Sequence, residues 1–159
     1  MEALVVDIDG TIADDSERFK MAKKETYVES KDTGETDYGE IDWDKYFDEI
    51  QVMNDKPNIE LKEKLIRGGQ EIVYLTGRPE KIRRVTEAWI DEHGFPKGKL
   101  IMRQDGNYES SLDFKIKKLK DITMIYDVSH AYGDRGCDKE AYDKFNIPST
   151  LIKFGGKKE

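Results

Sequence analysis

The chain has 159 residues, of which 36% are hydrophobic and 38% charged, a net charge of -7 and a single cysteine, Cys137. That length suits one domain, residues 1-159, with a core of its own under a densely charged surface. The acidic balance excludes a general attraction to polyanions, and a lone cysteine excludes an internal disulfide. No apolar run is long enough to span a membrane and the sequence enters its first strand without a signal peptide, so a soluble cytoplasmic protein is expected.

The first stretch is Ala3-Leu4-Val5-Val6-Asp7-Ile8-Asp9-Gly10-Thr11. A short, β-branched apolar run ending in carboxylates and a glycine reads as a buried parallel strand. Ligands of open α/β sheets bind beyond the carboxyl ends of such strands, which is where Asp7 and Asp9 fall. Residues 13-56 then turn polar, with scattered aromatics and Gly34 and Gly39 in the middle. Helices are expected over Ser16 to Thr26 and over Asp42 to Val52, the second carrying Trp43, Tyr46, Phe47 and Ile50 on one face. This segment reads as a small helical cap inserted after the first strand.

The α/β pattern resumes at Pro57. A helix over Asn58 to Arg67 stops at Gly68-Gly69 and leads to a buried strand, Glu71 to Leu75, that ends in Thr76-Gly77-Arg78-Pro79. A helix from Glu80 to His93 stops at Gly94, and Leu100 to Met102 forms a third strand. After a polar loop, Ser111 to Leu119 is expected as a helix bearing Lys115, Lys117 and Lys118. Ile122 to Tyr126 is expected as a fourth strand ending at Asp127, followed by a loop over Val128 to Gly136. A helix from Asp138 to Phe145, a strand from Ser149 to Phe154 and a frayed tail complete the chain. Repeated β-α-β units imply an α/β, Rossmann-like parallel sheet flanked by helices.

The strand ends thus gather Asp7, Asp9, Thr76, Gly77, a lysine and Asp127. These residue types suit phosphoryl transfer. One carboxylate can attack phosphorus and a second can protonate the leaving alkoxide and then activate water. A hydroxyl, backbone N–H groups and an ammonium can hold the non-bridging oxygens. A hard cation with oxygen ligands fits Asp7, the carbonyl of Asp9 and a later carboxylate, and Mg²⁺ is the natural candidate.

Asp7-Ile8-Asp9-Gly10-Thr11, Leu75-Thr76-Gly77-Arg78, a downstream lysine and a strand-end aspartate resemble the haloacid dehalogenase (HAD) superfamily of phosphatases. The likeness extends to the phosphatase domain of phage-type polynucleotide kinases through Asp42-Trp43-Asp44, Thr86 with Trp89, His93-Gly94 and Met102-Arg103. The resemblance implies Asp7 as nucleophile and metal ligand, and Asp9 as general acid/base with its carbonyl on the metal. It implies Thr76, Gly77 and Lys115 on the phosphate, Lys117 being a rival for Lys115. Arg78 and Arg103 are expected to contact substrate, with exposed surface arginines as the alternative. The last motif departs from the family pattern: Asp127 is followed by Val128, whereas Gly133-Asp134-Arg135-Gly136-Cys137-Asp138 has the family's spelling further on. Asp127 is expected as the metal ligand because a strand should end there, with Asp134 or Asp138 as helper.

The expected activity is a Mg²⁺-dependent phosphomonoesterase acting on nucleic acid 3′-phosphate ends or nucleotides. A small-molecule phosphatase and a non-catalytic HAD-fold binding module are the alternatives. Trp43 and Tyr46 would pack the cap or stack on a base, with packing favoured. Arg78, Arg83, Arg84, Arg103, Lys115 and Lys117 are expected to make a basic rim. No kinase P-loop is present, and nothing in the sequence sets an oligomeric state.

Overall fold

A computed structural model describes residues 1–23 and 41–154. The expected continuation of the first helix to Thr26, the residues Tyr27, Gly34, Tyr38 and Gly39, and the expected frayed tail from Gly155 lie outside the described residues.

Strand β1 (Glu2–Val6) is the centre of a five-stranded parallel sheet of order β5-β4-β1-β6-β7. Its neighbours are β4 (Glu71–Pro79) and β6 (Asp127–Gly133), with Val5 opposite Val73 and Ala131. β5 (Lys99–Arg103) and β7 (Ser149–Leu151) form the edges. The α/β parallel sheet is the expected fold. Period-two alternation splits β1 between two cores. Leu4 and Val6 join Leu65, Ile72, Tyr74, Trp89 and Leu100 on one face, beneath α4 (Ile59–Gly68) and α5 (Arg83–Glu92). Ala3 and Val5 join Val73, Leu75, Phe114, Leu119 and Tyr142 on the other, beneath α6 (Ser111–Ile125) and α7 (Gly136–Lys144). Helix boundaries follow local chemistry. The Asn58 side chain accepts the Leu61 N–H at 3.2 Å to start α4, and Gly69 at φ 63° ends it.

Between β1 and α4 the chain makes an excursion closed by a two-stranded antiparallel ladder, β2 (Ala13–Asp14) on β3 (Lys56–Pro57). It carries α1 (Ser16–Ala22), α2 (Trp43–Tyr46) and α3 (Glu49–Met53). Phe19, Ala22, Ile41 and Tyr46 bury one another as a separate small core.

One stretch differs from expectation. Ile122 to Ile125 belongs to α6, not to a strand, and the segment expected as a loop forms β6. Phe114, Lys115, Leu119 and Ile122 recur at helical spacing and are all buried, so continuing the helix keeps one face inside. Asp127 therefore opens β6 instead of ending a strand. It pairs in register with Glu2, and its N–H donates to the carbonyl of Met1 at 2.8 Å, at the end of the sheet remote from Asp7.

Candidate active site

The parallel sheet puts the carboxyl ends of β1, β4 and β6 side by side. The Asp7 N–H donates to Tyr132 O at 2.9 Å, which carries the β1–β6 ladder onto the nucleophile candidate itself. Gly10 then takes φ +79°, and a β-carbon there would collide with the carboxylate of Asp134. A β-carbon on Gly133 would sit 2.7 Å from Cβ of Asp138. Both positions need glycine because the acidic side chains occupy the space.

Asp7, Asp134 and Asp138 are all buried, and one oxygen from each lies within 4.8 Å of the others. The third carboxylate of this cluster is thus not Asp127, which is exposed at the opposite end of its strand. Asp138 also accepts the backbone N–H groups of Asp134 at 3.0 Å and Arg135 at 3.1 Å, so it closes the turn into α7. Lys115, one turn into α6, donates to Asp138 at 2.6 Å and lies 3.4 Å from Asp7. Lys117 is exposed and pairs with Glu109 at 2.8 Å, so the structure brings Lys115 and not Lys117 to the site.

The charges explain the titration behaviour. Burial pushes Asp7 up from 3.8 to about 6, against the pull of the Lys115 ammonium. Burial acts on Asp138 too, but Lys115 and the two backbone N–H groups outweigh it and hold this carboxyl at about 2. Among the described residues, Asp7 and Asp138 both meet the Lys115 ammonium, with Asp134 beside them. That close set of buried carboxylate oxygens fits a hard divalent cation, with Asp7, Asp134 and Asp138 as the side chains to hold it.

Asp9 lies in a different setting. Arg18 Nη2 donates to it at 2.6 Å and Arg78 Nη2 at 2.7 Å, and both arginines also meet Asp55, at 2.7 and 3.5 Å. Among the described residues, two carboxylates and two guanidiniums form one buried, hydrogen-bonded cluster. Arg78 is consequently not the substrate-facing residue expected from sequence: it is 1% exposed and committed to Asp9 and to Thr86 Oγ1 at 3.1 Å. Burial pushes Asp55 up to about 6, opposed by its bonds to Arg18.

Thr76 and Gly77, near the carboxyl end of β4, line a cleft of about 230 Å³ together with Asp7, Asp9, Lys115, Asp134 and Asp138. Arg103 also lines it, while donating to the carbonyls of Gly77 at 3.3 Å and Glu109 at 2.7 Å, so it braces the loops around the opening. Of the expected basic rim, Arg103 and Lys115 line the cleft. Arg78 is buried on Asp9, Arg83 pairs with Glu80 at 2.7 Å, and Lys117 pairs with Glu109. Lys81 and Arg135 line the cleft as well. Trp43 and Phe47 stack at 5.8 Å and line the cleft from the cap, and Tyr108, which is 70% exposed, lines it too. Tyr46 is buried, with its hydroxyl on Asp15. Trp89 is core, donating to Asp55 O at 3.0 Å and stacking on Phe95. Burial raises the Cys137 thiol to about 11.

Sequence reasoning missed Arg18 and Asp55. The available signal was Arg18 at i and Ala22 at i+4, which puts an arginine on the inward face of α1.

Residues 58–154 match the LNS2 domain of PITM 1-3. The chain belongs to the LNS2 domain family. Within this family it is 30% identical over 91 residues to the human membrane-associated phosphatidylinositol transfer protein 3, and 29% identical to the mouse protein. The matched segment is 56% of this chain and 9% of each relative, so the LNS2-like chain spans a small part of their length. Among solved structures, the Pnkp1/Rnl/Hen1 complex superposes with a TM-score of 0.65 at 18% identity, over 97% of this chain and 46% of that one. The class C acid phosphatase from Bacillus anthracis gives 0.63 at 15% identity, over 97% and 68%. These likenesses show the fold, a Rossmann-like HAD fold with a parallel sheet flanked by helices. No helix among the described residues is long and apolar enough to cross a membrane.

Proposed function

We propose that the chain is a Mg²⁺-dependent phosphomonoesterase that works through an aspartyl-phosphate on Asp7, with nucleic acid 3′-phosphate ends or nucleotides as substrates. The observation that carries this is the cluster of Asp7, Asp134 and Asp138 around Lys115, in a cleft also lined by Asp9, Thr76 and Gly77. Mg²⁺ held by the three carboxylates would offset the charge repulsion between an anionic nucleophile and an anionic phosphate.

The chain's own groups divide the work. An Asp7 oxygen attacks phosphorus as the bond to the leaving oxygen breaks, and Asp9 gives that oxygen its proton. Asp9 then takes a proton from water, whose oxygen displaces phosphate from Asp7. Thr76, the Gly77 N–H and Lys115 hold the non-bridging oxygens throughout. The aromatic wall of Trp43 and Phe47 and the basic side chains Lys81 and Arg135 support a nucleotide as the leaving group. So does the presence of a structural neighbour in the Pnkp1/Rnl/Hen1 RNA repair complex.

A second reading, a phosphate carried by a lipid, is favoured by relatives named as membrane-associated phosphatidylinositol transfer proteins. The test is phosphate release from an aryl phosphate, with and without Mg²⁺, for wild type and Asp7→Asn. It is followed by a 3′-phosphorylated oligonucleotide, a nucleoside monophosphate and a short-chain diacylglycerol phosphate. Mg²⁺-dependent release that Asp7→Asn reduces by about a thousandfold is expected, with the oligonucleotide or nucleotide turned over fastest. Preference for the lipid would select the second reading. Absence of release from all four by wild type would leave a binding module.

A further inference from the structure

Asp55 does not line the cleft, yet its side chain is buried against the two arginines that grip Asp9. Arg18 is fully buried and planar, and each edge of its guanidinium has a partner. Nε donates to Asp55 at 2.9 Å, and Nη2 divides its hydrogens between Asp55 at 2.7 Å and Asp9 at 2.6 Å. Nη1 donates to the carbonyl of Tyr46, in the cap, at 2.6 Å. A bidentate grip on the Nε–Nη2 edge fixes the plane of a guanidinium. With that plane fixed, the remaining Nη2 hydrogen points at Asp9 Oδ1, where Arg78 Nη2 also arrives.

The backbone of Asp55 is itself anchored. Its carbonyl accepts Trp89 Nε1 at 3.0 Å from the core helix α5, and its N–H donates to Val52 O at 3.2 Å. It sits one residue before β3, where the cap rejoins the sheet domain. The reference frame for Asp9 therefore runs from α5 through Asp55 and Arg18, and Arg18 ties the cap residue Tyr46 to the same frame.

We propose that Asp55 is a positioning residue for the leaving-group step: by fixing the plane of Arg18 it orients the Asp9 carboxyl toward the leaving oxygen and couples that orientation to the seating of the cap. This rests on the phosphatase reading above. A group misplaced by about an ångström loses on the order of a hundredfold in such a step.

The test compares Asp55→Asn with wild type in single turnovers. Asparagine keeps the shape and one acceptor for Arg18 but loses the charged bidentate edge. Release of the alcohol from an alkyl phosphate, whose alkoxide must be protonated, is expected to slow at least about tenfold. Release of 4-nitrophenol from 4-nitrophenyl phosphate, which leaves without a proton, is expected to stay within about threefold. KM should be unchanged for both. Equal losses on the two substrates, or no loss on the alkyl phosphate, would overturn the proposal. A second measurement does not depend on turnover. The Arg18 Nε–H resonance, assigned by its disappearance in Arg18→Lys, should shift and broaden in Asp55→Asn. An unmoved resonance would also overturn the proposal. Wild type that turns over neither substrate would defeat the phosphatase reading and with it the leaving-group step, while the resonance would still report whether Asp55 fixes Arg18.

Discussion

Asp7 and Asp9 leave the same strand two residues apart and enter opposite electrostatic surroundings. Around Asp7, the described residues place three buried carboxylates about the Lys115 ammonium. Around Asp9, they place two carboxylates against two guanidiniums. The first cluster is a close set of oxygens of the kind that suits a hard cation. The second is built to hold a side chain still. The same comparison says what holds the cap. The exposed pair Lys81–Asp44, 3.5 Å apart with side chains 55% and 91% exposed, is worth at most about 1 kcal/mol. The buried arginine cluster, which includes the cap carbonyl of Tyr46, is the stronger tie.

Removing the cation from each cluster gives the largest expected effects and separates the two. Lys115→Met and Arg18→Leu each strand buried carboxylates and should each destabilise the metal-free protein by about 3–5 kcal/mol, measured by urea denaturation. Mg²⁺ should restore part of the loss in Lys115→Met and none in Arg18→Leu. Equal restoration in both would break the comparison. Gly10→Ala comes next. It imposes a positive φ on an alanine and pushes its methyl group into Asp134, so a loss of about 1–2 kcal/mol together with weakened Mg²⁺ binding by calorimetry is expected.

A smaller, pH-linked effect follows from the carboxyls that folding raises. Asp7 and Asp55 go from 3.8 to about 6, so the folded protein holds those protons more tightly than the unfolded chain. The metal-free protein should therefore lose stability from these two groups as pH rises from about 4 to about 6. Asp138, lowered from 3.8 to about 2, works the other way: its contribution is present above about pH 4 and lost as pH falls toward 2. Because Mg²⁺ competes with the proton on Asp7, it should raise the melting temperature more at about pH 7.5 than at about pH 5. A larger shift at the lower pH would argue against Asp7 as a ligand. The smallest effect belongs to Asp127→Asn, which lies at the remote end of β6 and should change stability by no more than about 0.5 kcal/mol and turnover not at all.

The strand carrying Asp7 and Asp9 was legible because β-branched apolar residues, then acids, then glycine point to one structure at every level. Thr76-Gly77 was legible for a similar reason, following a buried strand, whereas Lys115 was set above Lys117 only by the family resemblance. The region from Ile122 to Gly133 was not. Its β-branched and aromatic residues, Ile122, Thr123, Ile125 and Tyr126, suit a strand locally, but α6 wins by burying Leu119 and Ile122 at helical spacing. β6 in turn contains Ser129 and His130, which read as loop, and is held by its pairing with β1. Arg18, Arg78 and Asp55 were illegible for a different reason. A charged residue reads as exposed unless its partner is known, and these partners come from α1, from the end of β4 and from the approach to β3.

Placing β1 at the centre of the sheet also orders events in time. Its two neighbours begin at Glu71 and Asp127, and it is the pairing with the later one, β6, that brings Asp134 and Asp138 to Asp7. During synthesis the nucleophile candidate emerges long before the carboxylates that complete its cluster. The cluster of Asp7, Asp134 and Asp138 is incomplete until nearly all of the described sequence is out. Such distant pairings are slow to close, and recovery of Mg²⁺ binding after dilution from denaturant should be among the last events of refolding.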